Sequence, residues 1–227
     1  MLTGADDRLP ARAAAMAEFA AQLTARPWSV TAEHGVRLVA QGLGPAAIEA
    51  ATGVVAMFNY LTRVADASGI DFDYESPLPA FRPEREREPA PRPDRDSWPV
   101  VGAELRTFPG FPAMAQAWRE WREYVFDSDA ALTGRERGLL AAAAAQETCD
   151  RVRADELAEL SPRDDTEELL DSFARKLSRR PWAMGPADLQ ALRDAGYPEP
   201  ALLRAISVVA LQNAESRVAM GRGLTAG

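Results

Sequence analysis

The sequence has one cysteine, Cys149, and one histidine, His34. A single cysteine excludes an internal disulfide framework and any intrachain dithiol. A single histidine excludes a histidine-based metal cluster and leaves any Ser-His-Asp arrangement dependent on His34 alone. Cations are also short. The chain carries 26 Lys+Arg against 34 Asp+Glu, a formal charge of −8. Affinity for phosphate comes mainly from clustered cations, so nucleic acid is not an expected partner. The arginines between Arg82 and Arg95 are interleaved with acids and prolines. No apolar run approaches the ~20 residues of a membrane span. The first residues, Met1 to Asp7, show no basic stretch followed by an apolar core, so no signal peptide is expected and the cytoplasm is the default location. The alternating pattern of a half-buried strand is missing, which makes the expected class all-α.

What the chain does have is a repeat. The stretch from Arg26-Pro27-Trp28 to Gly69 returns as Arg180-Pro181-Trp182 to Gly223, at an offset of 154 residues. The register holds without a gap from Phe19/Phe173 to Ile70/Leu224, with about a third of the paired positions identical, which unrelated segments do not show. The matches include Leu23/Leu177, Leu38/Leu192 and Gly42/Gly196, and two polar pairs, Asn59/Asn213 and Arg63/Arg217. Hydrophobic content of 47% is ample for a core, and 227 residues suit one domain built on a duplicated unit.

The expected layout is a first half-repeat over 11–70, a Pro/Arg-rich linker over 71–107, a helical segment over 108–163 and a second half-repeat over 164–224. Apolar spacing predicts helices over 11–25 and 45–68, the latter opened by Pro45 and closed by Gly69. A short helix starts at Thr31, a natural N-cap, and stops at Gly42. The prolines from Pro77 to Pro99 predict an irregular connection wrapped over the surface. Helix returns from Pro109 to about Ser128, with Trp118, Trp121 and Tyr124 expected in the core. Thr133 and Glu136 form a capping-box pattern opening one helix to about Leu160, through the alanine run 141–145. Helices over 165–178, 186–195 and 199–221 complete the second copy.

Leu132-Thr133-Gly134-Arg135-Glu136-Arg137 before an alanine-rich helix resembles the entry to the redox helix of the carboxymuconolactone decarboxylase/alkylhydroperoxidase D-like superfamily. Phe58-Asn59-Tyr60-Leu61-Thr62-Arg63-Val64-Ala65 is similar to the closing helix phrase of its peroxidase-related branch, and Gln212-Asn213-Ala214-Glu215-Ser216-Arg217-Val218-Ala219 matches it less completely. The resemblance covers most of 11–70 and 105–224. It implies an all-α helical bundle, peroxide reduction by a Cys-x-x-Cys-x-x-x-His motif, and assembly into a homodimer or higher oligomer. The alanine-rich composition, poor in lysine, suggests a high-GC bacterial genome.

The motif is degenerate here. Anchored on Cys149, the second cysteine position falls on Val152 and the histidine position on Glu156. Anchored on Arg135-Glu136-Arg137, the first cysteine position falls near Asp150 and the second on Arg153. Neither register restores a dithiol, so dithiol peroxidase activity is not expected. If a one-cysteine activity persists, resolved by an external thiol, Cys149 carries it beside Glu147 and Glu156. The first reading of Cys149, however, is a small buried hydrophobe in a crowded helix. Glu147, Asp150, Asp155 and Glu156 surround the thiol in sequence and are expected to raise its pKa; as metal ligands they lack a convincing spacing, and no metal or cofactor is expected. His34, paired in the repeat with Asp188, reads as a surface residue.

Asn59/Arg63 and Asn213/Arg217 are each spaced i, i+4 on a face that continues an apolar stripe. A buried arginine needs acceptors. One reading is a pseudo-symmetric clamp tying down loop carbonyls or an acid of the other half. The other is a cavity between the halves, where Arg63 or Arg217 faces an anionic or carbonyl ligand and Glu215, replaced by Leu61 in the first copy, supplies a carboxylate. On that reading the chain is a small-molecule enzyme of lyase, decarboxylase or isomerase type, or a ligand-binding protein.

Overall fold

The computed structural model describes residues 9–70, 88–127 and 131–225. The first part of the expected linker, residues 71–87, including Arg82 to Arg87, lies outside them. Helices α1 (Ala11–Ala25), α2 (Ala32–Ala40) and α3 (Pro45–Ser68) come first, followed by α4 (Pro112–Asp127), α5 (Gly134–Glu147) and the short α6 (Arg151–Glu156). The chain then runs through α7 (Asp165–Arg179), α8 (Pro186–Asp194) and α9 (Glu199–Arg222). No strand occurs among the described residues, so the class is all-α. No single helix among them is long and apolar enough to cross a membrane.

Residues 154 apart begin and end corresponding helices: α1 with α7, α2 with α8, and α3 with α9. The local chemistry corresponds too. Gly42 and Gly196 both take positive φ, 76° and 95°. Each closes its helix with the next residue's N–H returning to the carbonyl five residues back, Leu43 to Leu38 and Tyr197 to Leu192. A Cβ is strained at such φ, which is why glycine recurs there.

The core lies where α9 is wrapped by its neighbours. Nearly the whole of α9 is buried, from Ala201 to Gly221, and α3 is its most extensive partner. Gly221 makes that approach possible: a Cβ there would sit 2.6 Å from Thr52 Cγ2 of α3 and 3.1 Å from Leu23 of α1. α5 packs along both α7 and α9, and its alanine run is buried throughout. Small side chains allow that close three-way packing.

Three expectations are corrected. The helix after Thr133 does not run unbroken to Leu160: it ends at Glu147 and restarts at Arg151. Cys149 sits at the break with φ of 56°, and the Asp150 carboxylate caps α6 by accepting from the Arg153 N–H at 3.2 Å. An alanine run favours helix, but the cap and the left-handed residue override it. Second, Trp118 is buried but Trp121 and Tyr124 are 38% and 57% exposed. Third, residues 88–107 are more than a surface wrap. Trp98 is buried there, and Arg92 and Arg106 reach α5 and the α5–α6 turn.

Candidate functional site

Cys149 is buried, packed in a small cluster with Trp98, Ala145 and Ala154 and against Trp28. Burial pushes its thiol up to about 12; Arg92 and Arg179 oppose that, and Glu147 adds to it. A reactive thiol requires the opposite setting, electropositive and partly exposed. Of the four neighbouring acids, only Glu147 contributes to the shift; the cause is chiefly desolvation.

The other two residues grouped with Cys149 face different ways. Glu147 is buried among arginines, at 3.1 Å from Arg92, 2.9 Å from Arg175 and 3.5 Å from Arg179. All of its charge is committed to these pairs. Glu156 lies toward solvent and pairs with Arg153 at 2.9 Å.

Asp150 occupies the position that the second register equates with the first cysteine. It is fully buried and holds Arg106 through two bonds of 2.6 and 2.8 Å. The Ser216 hydroxyl of α9 donates to the same carboxylate at 2.8 Å. Ser216 in turn accepts from Gln212 Nε2 at 3.2 Å, and Gln212 Oε1 accepts from Arg153 Nε at 3.2 Å. A helix N-terminus stabilises an anion, which a thiolate could exploit. Here the anion is a carboxylate, already neutralised by a guanidinium.

Glu215 completes this group. It is 2% exposed and faces the half-exposed Arg122 of α4 at 3.0 Å. Burial raises its pKa above the ordinary carboxyl value, opposed by Arg122, Arg106 and Arg153 and reinforced by Asp150. Two carboxylates and three guanidiniums therefore meet on one face of α9. Sequence reasoning found Glu215 through its difference from Leu61. The same comparison marks Gln212 against Phe58 and Ser216 against Thr62. Arg106 and Arg122 carry no sequence signal, since neither lies in the repeat.

The paired asparagines and arginines form a clamp. Asn59 donates to Val55 O and to the Thr24 hydroxyl, and Asn213 to Val209 O and the Ser178 hydroxyl. Each arginine returns to the asparagine on its own helix and reaches across: Arg63 Nη2 donates to Ser178 O at 3.0 Å, and Arg217 Nη2 to Thr24 O at 2.9 Å. Thr24 and Ser178 are themselves 154 apart, so the two bonds exchange between the halves. Burial lowers Arg63 to about 10, and burial with the nearby Arg63 charge holds Arg217 well below its ordinary value. These bonds serve the clamp reading, because the Nη groups of both arginines go to backbone carbonyls and to the Asn59 and Asn213 side chains; the buried Nε of each finds no acceptor among the described residues.

His34 is half-buried and is not simply a surface residue. Its Nδ1 accepts from the Thr31 N–H at 3.2 Å, closing the start of α2. It lines a depression of about 560 Å³ between α1 and α2, with Glu18, Phe19, Arg37 and Leu38 among its neighbours. None of the groups around Glu215 or Cys149 lines that depression. Among the described residues no cluster of three His, Cys, Asp or Glu could hold a metal ion. No family model, curated protein or solved structure matches the chain.

Proposed function

We propose that the chain is an alkylhydroperoxidase D-like bundle built on a duplicated three-helix unit, and that its chemistry is not redox. The recurrence of helix bounds at one offset and the exchanged Arg63 and Arg217 bonds support the duplication. The break before α6, with Asp150 as its cap, supports the register in which both cysteine positions carry charged residues. A one-cysteine peroxidase at Cys149 finds no support, because a thiol held near 12 is almost wholly protonated at neutral pH.

The role proposed instead is binding of a small organic anion, with acid–base chemistry, at Glu215. One observation carries it: a nearly inaccessible carboxyl with a raised pKa whose facing cation, Arg122, comes from the solvent side. A carboxyl with raised proton affinity suits proton transfer closer to neutrality. Arg122 can leave Glu215 for an incoming carboxylate, to which the protonated Glu215 donates. Only one half has this carboxyl, so each chain has one such site. The test is a thermal-shift screen with small mono- and dicarboxylates on the parent and on Arg122→Ala. Stabilisation of the parent that the variant loses supports the proposal; no stabilisation across the screen, or equal stabilisation of both proteins, overturns it.

A further inference from the structure

We propose that the depression between α1 and α2 binds a free apolar α-amino acid as its zwitterion. The space is about 560 Å³, a size typical of small-molecule sites. Its floor is apolar, with the buried Phe19 of α1 and Leu38 of α2. Its rim is polar and comes from both helices. Along α2 and its C-cap, His34, Arg37 and Gln41 stand at i, i+3 and i+7, on one face. Glu18 of α1 lies opposite and pairs with Arg37 at 3.1 Å. The Thr31 N–H fixes the imidazole. His34 Nδ1 accepts that bond, so Nε2 carries a ring proton to donate, and Nε2 has no partner among the described residues.

The second half shows that the frame does not demand these groups. Phe173 and Leu192 stand in α7 and α8 as Phe19 and Leu38 do in α1 and α2, and all four are buried. Where the first half has Ala15, the second has Leu169, half-buried and packed on the core. Where the first has His34, Arg37 and Gln41, the second has Asp188, Ala191 and Ala195. Asp188 is already spent on Lys176 at 2.6 Å. The first half therefore combines a shortened side chain at the floor with donors at the rim. The rim charges decide the class of ligand. Arg37 and Glu18 are 52 and 58% exposed, and an ion pair so open contributes little, so a ligand separates it at small cost. An α-amino acid brings a carboxylate for Arg37 and the Nε2–H of His34, and an ammonium for Glu18, so two pairs replace one. A plain carboxylate leaves Glu18 opposing the ligand's own charge, and a plain amine does the same to Arg37. An apolar side chain covers Phe19 and Leu38, which glycine leaves in water.

This site shares no residue with the group around Glu215 and does not rest on that reading. The chain has one histidine, so the ring resonances of His34 report on this site alone in a proton NMR titration of the full chain at fixed pH. L-leucine and L-phenylalanine should shift them saturably, with half-saturation at about 1 mM, as expected for ligands of this size. N-acetyl-L-leucine, L-leucinamide and glycine should each need at least ~10-fold more, since each lacks one of the three contacts. Arg37→Ala, and Ala15→Leu as in the second half, should each weaken L-leucine by at least ~10-fold. Circular dichroism checks the fold of both variants, and the exposed Arg37→Ala decides the matter if Ala15→Leu does not fold. No saturable shift up to ~20 mM of either amino acid, a range well past the expected half-saturation, overturns the proposal. So does N-acetyl-L-leucine or L-leucinamide binding as well as L-leucine, or L-leucine binding unchanged in a folded variant.

Discussion

Cys149 and Glu215 show how burial sets the chemistry of single residues in this chain. The folded thiol holds its proton to about 12, against an ordinary value of 9.0. The unfolded chain therefore ionises first, and the stability owed to the protonated thiol is complete below pH 9 and is lost as pH rises toward 12. Parent and Cys149→Ala should accordingly converge in stability as pH rises above 9, followed by denaturant titration at each pH. Glu215 has the same sign at lower pH. Its raised pKa means that the folded state holds the proton more tightly, so its stabilising effect is full below about 4.5 and fades as pH rises. Glu215→Gln should remove that slope; a slope unchanged in the variant assigns it to other carboxyls. Glu215 was legible in the sequence because its counterpart is a leucine. The burial of Cys149 was legible as the first reading of a lone cysteine in a crowded helix; its packing on Trp98 was not, because Trp98 comes from a proline-rich segment with no periodicity.

The elements that resisted sequence reading are those fixed by a long-range partner. Periodicity gave α1 and α3 to the residue, because apolar spacing and the stops at Pro27 and Gly69 agree there. It ran α5 into α6, because nothing local to an alanine run announces a break. The break is held by Asp150, whose ion pair with Arg106 spans 44 residues. Asp150→Asn leaves that guanidinium without its charge partner and should destabilise the protein by about 3 kcal/mol, measured by urea unfolding. A loss below about 0.5 kcal/mol would show that the cap, and not the ion pair, sets the break. The α3–α9 crossing makes a second demand at this scale. Gly221→Ala gains helix propensity but drives a methyl against Thr52, whose side chain is β-branched and bonded to Ile48 O. Overpacking should win, with a net loss of about 1–3 kcal/mol.

Across the whole molecule, the two halves are tied by exchanged bonds. Arg63 binds the carbonyl of Ser178 and Arg217 that of Thr24, each reaching the half it does not belong to. The inward direction of both arginines was legible from their place on an apolar stripe, and carbonyls of the other half were one of two acceptor classes it left open; Ser178 and Thr24 themselves were not legible, because a backbone carbonyl leaves no mark in sequence. Arg63→Met and Arg217→Met should each cost about 1–3 kcal/mol through the orphaned carbonyl, measured by thermal unfolding. The corresponding helices thus share their inner contacts and differ on their outer faces. One face holds Glu215, Ser216 and Gln212 beneath α4, α5 and α6, and the other shows Val54, Phe58 and Leu61 to solvent.

The buried, proton-holding Cys149 leaves the proposed bundle without thiol redox chemistry. The most direct measurement is hydroperoxide consumption by the full chain with excess dithiothreitol, comparing the parent with Cys149→Ala. The expected result is the same rate for both, equal to the rate of the reductant alone. A parent rate above that background which disappears in Cys149→Ala would contradict the claim.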